Sequence, residues 1–221
     1  MDVLPAGVRE IGPGLYAVVR RSMSESIAYM DKYYYRMPNE LKWLSFKPNI
    51  VIPEFRDTVH IVGKGPSLDS ITAKQLNDGC PIICINESVH QIVALGTLNP
   101  VYTVQQDSAL MLRCYNPGSQ LFANVYCCQY LGDKALYYRP EDYGLTGSSL
   151  SVVLAMALVA RGGGKHVKLW AFDGAKTGTV LGYAASVHSD PRKGGSPARF
   201  SGHKPIIERE AEARELGHEF M

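Results

Sequence analysis

From Val59 onward the chain alternates short apolar runs with stretches of helical periodicity, and that alternation restricts it to a sheet of mainly parallel strands joined through helical crossovers. Strands are expected at 59–62, 81–85 and 101–104, each closed by polar residues: Gly63, Asn86, and Gln105 with Gln106 and Asp107. Weaker strand candidates lie at 124–128 and 135–138. Helices are expected over 70–77, over 149–161, where Gly162-Gly163-Gly164 ends the best apolar helix in the chain, and over 206–216. The clearest late strand is 167–172, closed by Asp173. No element is assigned between Asn86 and Val101, and no strand after the last helix.

The residues before Thr58 follow a different pattern. They offer one short strand over 15–19 and one helix, capped by Ser24, carrying Ile27, Met30 and Tyr34 at spacings of three and four, and stopped by Pro38. At 221 residues the chain is long for one average domain and short for two. The reading is therefore an extension over 1–57 and a Rossmann-like α/β domain over 58–221, with helices on both faces of its sheet. A hydrophobic content of 46% against 20% charged residues suits a chain that buries a core.

Charge and cysteine usage narrow the classes. A formal charge of +2 is too small to argue for nucleic acid by itself. Arg192, Lys193, Arg199 and Lys204 nevertheless cluster with only Asp190 to offset them. Cys80, Cys84, Cys114, Cys127 and Cys128 are odd in number and lack a paired metal-ligand spacing, which fits reduced thiols and no structural metal. No leader pattern stands near the start, and no apolar run approaches the ~20 residues of a membrane-spanning helix. The expectation is a cytoplasmic protein without a membrane partner, with room left for a homo-oligomer.

The functional expectation comes from the strand ends. In an open parallel sheet the C-terminal ends of the strands lie along one edge, and ligands bind in the crevice outside them. Gly63-Lys64-Gly65-Pro66-Ser67 supplies two glycines and a rigid turn, and Ser67 or Asp69 can cap the helix that follows, leaving backbone N–H groups to an anion. The same residues also make a plain tight turn. Thr146-Gly147-Ser148-Ser149 opens the best helix with hydroxyls and the positive end of its dipole, either as a second phosphate-binding turn or as a simple cap. Together the two turns point to a phosphate-bearing nucleotide.

His60-Ile61-Val62-Gly63-Lys64-Gly65-Pro66-Ser67-Leu68, the strand ending in Asn86, Leu145-Thr146-Gly147-Ser148-Ser149 and Leu169-Trp170-Ala171-Phe172-Asp173 resemble the bacterial CMP-sialic acid-dependent sialyltransferases. The related family that contains archaeal hydroxymethyl-dihydropterin pyrophosphokinase shares the Gly-Pro-Ser-Leu turn, so the resemblance is at superfamily level and spans roughly 58–216. It implies a GT-A-type Rossmann-like fold and a CMP- or nucleoside-diphosphate-linked donor, held by Gly63, Gly65, Asn86, Gln106, Gly147 and Ser148. It also implies a general base at His203 and a tyrosine, Tyr183, on the departing phosphate. Lys64 stands where that family commonly has asparagine; it can neutralise a donor phosphate or mark a different donor. Pro66, Ser67, Asp107, Ser149 and Asp173 complete the candidate donor site.

A transfer from an activated donor needs a base for the acceptor hydroxyl, and an unperturbed histidine titrates near neutrality. His203 fits that role, with His188 as a rival in the same segment. The segment 174–201, rich in glycine, serine and basic residues, reads as a mobile lid. The acceptor is open among a modified nucleobase in DNA, a soluble metabolite and a glycan. A second reading has Asp107 and Asp173 hold Mg²⁺, bound mainly through water and phosphate oxygens, for pyrophosphoryl transfer, and a third keeps the nucleotide-binding turns without turnover.

Overall fold

Strand propensity and pairing produce one seven-stranded parallel sheet. The computed structural model describes residues 8–12, 15–18, 50–107, 110, 112–127, 131–146, 149–178, 183–187 and 202–221. A small antiparallel hairpin joins β1 (Val8–Gly12) to β2 (Leu15–Val18). The main sheet contains β3 (Thr58–Val62), β4 (Ile82–Ile85), β5 (Val101–Gln105), β6 (Gln120–Asn124), β7 (Leu136–Tyr138), β8 (His166–Trp170) and β9 (Gly217–Phe220), in the order β7-β6-β5-β4-β3-β8-β9. Every pairing in it is parallel. Among the described residues the α-helices are α1 (Ala73–Leu76), α2 (Ser88–Ala94), α3 (Ser151–Arg161), α4 (Asp173–Thr177) and α5 (His203–Ala213).

Both faces of the sheet are covered, as the near-continuous apolar character of its strands requires. On one face Val59, Ile61, Ile83, Val104 and Leu169 pack under α3, whose residues 152–159 are all buried. A helix that is apolar all round must be covered on every side. Ile207 and Ala211 of α5, Tyr143 and Phe55 belong to the same cluster. On the other face Val62, Ile82, Cys84 and Trp170 meet Leu68, Leu76, Val89 and Ile92. The Rossmann-like α/β class expected from the alternation is the class observed.

Several expected elements differ. The N-terminal strand is half of a hairpin whose first strand the sequence reading lacked, and the helix expected between Ser24 and Pro38 lies outside the described residues. The sequence reading starts the domain at Thr58, yet the chain is tied to it from Ile50, whose N–H donates to Tyr137 O. Phe55 is only 1% exposed, with its N–H on Gly162 O. The strand expected over 124–128 is Gln120–Asn124, followed by a 3-10 turn over Val125–Cys127. Its partner β5 stops at Gln105, opposite Ala123, so the ladder has nothing further to pair with. The helix expected over 70–77 is a 3-10 turn, Pro66–Ser70, and then one turn of α1, where Thr72 and Gln75 form a capping box. Helices α2 and α4 and strand β9 are additions to the expected set.

Candidate functional site

The sheet fixes where a ligand crevice can form. The chain runs from β3 outward through β4, β5, β6 and β7, then returns to place β8 on the other side of β3 and β9 beyond it. At β3 and β8 the connections therefore diverge in opposite directions, which opens a crevice at the C-terminal ends of the two strands. A cavity of about 210 Å³ lies there. Gly63, Lys64 and Gly65 after β3, Asn86 after β4, Asp173 after β8, Tyr183, and His203 at the start of α5 all line it. Ile85, Leu150, Val152 and Phe172 supply apolar wall.

The two glycines are required by the close approach of the segment that follows β8. Gly63 N–H donates to Trp170 O and Gly65 N–H to Ala171 O, both at 2.8 Å. A Cβ at Gly63 would lie 2.6 Å from Ala171 O; one at Gly65 would lie 2.8 Å from that oxygen and closer still to Asp173 Oδ2. Asp173 Oδ2 in turn accepts from Ser67 N at 3.1 Å and Ser67 Oγ at 3.0 Å. This corrects one expectation. The Ser67 N–H is not left for an anion, because Asp173 already occupies it and staples the glycine turn to the start of α4.

Asp69 also has a different role from the cap expected of it. Its carboxylate accepts from the backbone N–H groups of Ala185 and Ser186 and from the Ser186 hydroxyl. The Ser186 hydroxyl, ahead of the two backbone bonds, holds the Asp69 carboxyl below its ordinary range. Ala184 N–H adds a bond to Lys64 O at 2.9 Å. The segment expected as one mobile lid over 174–201 thus begins with a helix, α4, and its residues 184–187 are fastened to the glycine turn. Residues 179–182 and 188–201, His188 among them, lie outside the described residues.

Two backbone positions at the cavity are strained. Asn86 (φ 55°) and Ala171 (φ 55°) hold left-handed conformations without being glycine. Such positions cost on the order of 1–3 kcal/mol and cluster at functional sites. Asn86 Oδ1 is buried without a hydrogen-bond partner. A buried acceptor of this kind costs about 1–3 kcal/mol unless a donor reaches it.

The turn at Asn86 also brings in Glu87, which the sequence reading did not single out. Glu87 is 7% exposed, with Lys64 Nζ 2.7 Å from its Oε2 and Arg113 Nη2 3.1 Å from its Oε1. Lys64 Nζ further lies 4.6 Å from the centre of the Tyr183 ring. The only sequence signal for Glu87 was its place next to a strand-closing asparagine; its partners are 23 and 26 positions away.

Other expected site residues stand apart from the cavity lining: Pro66, Ser67, Gln106, Asp107 and Ser149. Gln106 Nε2 donates to Thr146 O at 3.1 Å, and Ser149 Oγ accepts from Thr146 N–H at 3.0 Å, so both shape the second turn. Gly147 and Ser148 lie outside the described residues. Asp107 follows β5, three strand spacings from β8, or about 14 Å. Two carboxylates on ends that far apart do not both ligate one ion directly at ~2.1 Å, so an ion between them is left to water and phosphate oxygens.

Among the described residues one cluster has metal-competent groups: His60, Asp78 and Cys80. Trp170 Nε1–H donates to His60 Nδ1 at 2.9 Å, so Nδ1 is the acceptor nitrogen and Nε2 carries the proton, which it shares with both Asp78 oxygens at 3.0 Å. Nε2 then has no lone pair for a metal. Lys168 Nζ, 3.7 Å from Asp78 Oδ2, already supplies a cation. Burial raises the Cys84 and Cys114 thiols, which removes both as thiolate nucleophiles.

Fold and cavity define a Rossmann-like α/β protein with a cavity of mixed polar and apolar lining at its topological switch point. No family model and no curated protein matches the chain. Among the described residues no helix is long and apolar enough to cross a membrane.

Proposed function

We propose that the chain is a nucleotide-dependent group transferase, in which the cavity holds the phosphate end of an activated donor and His203 takes the proton of an acceptor hydroxyl. The observation that carries this reading is the convergence of Lys64, Asn86, Asp173, Tyr183 and His203, from five separate segments, on one cavity at the switch point. In this reading the acceptor oxygen forms a bond to the donor carbon while the bond from that carbon to the phosphate oxygen breaks. His203 receives the hydroxyl proton, and the charge left on the phosphate is met by Lys64 and the Tyr183 hydroxyl. The orphaned Asn86 Oδ1 takes a hydroxyl or amino group of the nucleoside. The GT-A-type, sialyltransferase-like assignment belongs to the same proposal, as does a CMP- or nucleoside-diphosphate-linked donor. The separation of Asp107 from Asp173 favours this reading over magnesium-dependent pyrophosphoryl transfer.

A thermal-shift panel of nucleoside mono-, di- and triphosphates, with and without Mg²⁺, tests the reading, because a ligand bound only by the folded state raises its apparent stability. Stabilisation by a mono- or diphosphate without metal is expected. His203→Ala should keep that stabilisation and lose turnover. Stabilisation by ATP only with Mg²⁺ would replace this reading with pyrophosphoryl transfer.

A further inference from the structure

The Lys64 ammonium, the cation on which the phosphate reading rests, is held away from full engagement with any ligand by Glu87. That carboxylate is nearly buried, and a buried charge is tolerated only when paired. It has a second partner, Arg113, on its other oxygen. The Lys64 ammonium sits on a flexible four-carbon stem at the cavity wall, whereas Arg113 contacts the other Glu87 oxygen, is absent from the cavity lining and is about a third exposed. If Lys64 turns into the cavity, Glu87 keeps Arg113 and does not become an unpaired buried charge. A charge pair with such a reserve partner can be opened by a ligand.

We propose that Glu87 and Arg113 set how readily Lys64 transfers to an anionic group in the cavity, which makes Glu87 a selectivity-determining residue that admits phosphate and rejects weaker anions. This inference rests on the proposed phosphate site. An incoming anion must compete with a carboxylate 2.7 Å from Lys64. A phosphate, with more charge and more acceptor oxygens than a carboxylate, wins that competition; acetate, the chemical equal of the Glu87 side chain, does not. Arg113 tunes the balance in the opposite direction, since it draws on Glu87 and loosens the hold on Lys64.

The two residues therefore have effects of opposite sign, which simple damage to the site does not produce. Inorganic phosphate and acetate are titrated into the full chain and followed by the amide signals of Gly63 and Gly65. Glu87→Gln should bind phosphate about tenfold more tightly and lose much of its preference over acetate, while Arg113→Gln should bind phosphate about tenfold more weakly. Arg113→Gln should cost less in the Glu87→Gln background than in the wild type, because the part of its effect that runs through the carboxylate is then gone; equal costs in the two backgrounds, the signature of net charge alone, overturn the inference. If Glu87→Gln does not fold, Glu87→Asp, with its carboxylate drawn back by one methylene, should show the same sign with smaller size. Weakening in both single variants, or no change in either, overturns the inference and leaves the phosphate site standing. Failure of both the wild type and Glu87→Gln to bind phosphate removes the phosphate site, and this inference with it.

Discussion

Individual side chains show how closely the turn after β3 is matched to its neighbour. Gly65→Ala would push a methyl group into Asp173 Oδ2 and Ala171 O, both held by the fold. A loss of about 2 kcal/mol or more is expected in urea unfolding, in the range of an overpacked core. Gly79→Ala is the comparison: its φ of +84° is unfavourable, yet nothing lies within 4 Å, so the cost should stay near 1 kcal/mol. His60 gives a second prediction. Burial, the largest influence, lowers its pKa below 6.5 despite the opposing pull of Asp78. The unfolded chain then takes up a proton that the folded chain refuses, so stability falls as the pH drops below about 6.5. Asp78, also lowered, adds stability above about 3.8 that is lost in stronger acid. The urea midpoint should therefore fall from pH 7.5 to 5.5. Trp170→Phe, which frees Nδ1 to accept the proton, should flatten that fall even though it lowers stability overall. A pH slope unchanged in Trp170→Phe would contradict the tautomer assigned to His60.

At the scale of elements, the segment 184–187 offers the clearest test. Asp69 is exposed, so its bonds to Ala185 and Ser186 hold a local segment rather than the whole fold. Asp69→Ala should speed hydrogen exchange at the Ala185 and Ser186 amides while leaving the thermal midpoint nearly unchanged. Equal exchange in variant and wild type would show that the segment is held by other contacts. The elements also show what sequence alone reveals. Strands β3, β4, β5 and β8 and helix α3 were legible because their apolar runs are buried on both faces. Gly217–Phe220 has no apolar run, and β9 exists through its pairing with β8 at the sheet edge. Helix α2, at seven residues, is too short for its period to stand out. The candidate site was legible where residues close strands, as Gly63, Asn86 and Asp173 do. Glu87 and Arg113 meet only once the strands are side by side. The strained φ at Ala171 is imposed by chain path and leaves no mark in residue type.

For the whole molecule, strand order locates the site. Because β3 is flanked by β4 on one side and β8 on the other, the glycine turn and the Asp173 turn face each other, and the start of α5 brings His203 to the same cavity. The central claim is that this cavity receives the phosphate end of a nucleotide. Its most direct test is to titrate the nucleotide that stabilises the protein best into isotope-labelled full chain and map the amide signals that move. Saturable shifts centred on Gly63, Gly65, Asn86 and Asp173, abolished by Lys64→Met, are the predicted result. Shifts centred elsewhere, or shifts that persist unchanged in Lys64→Met, would contradict it.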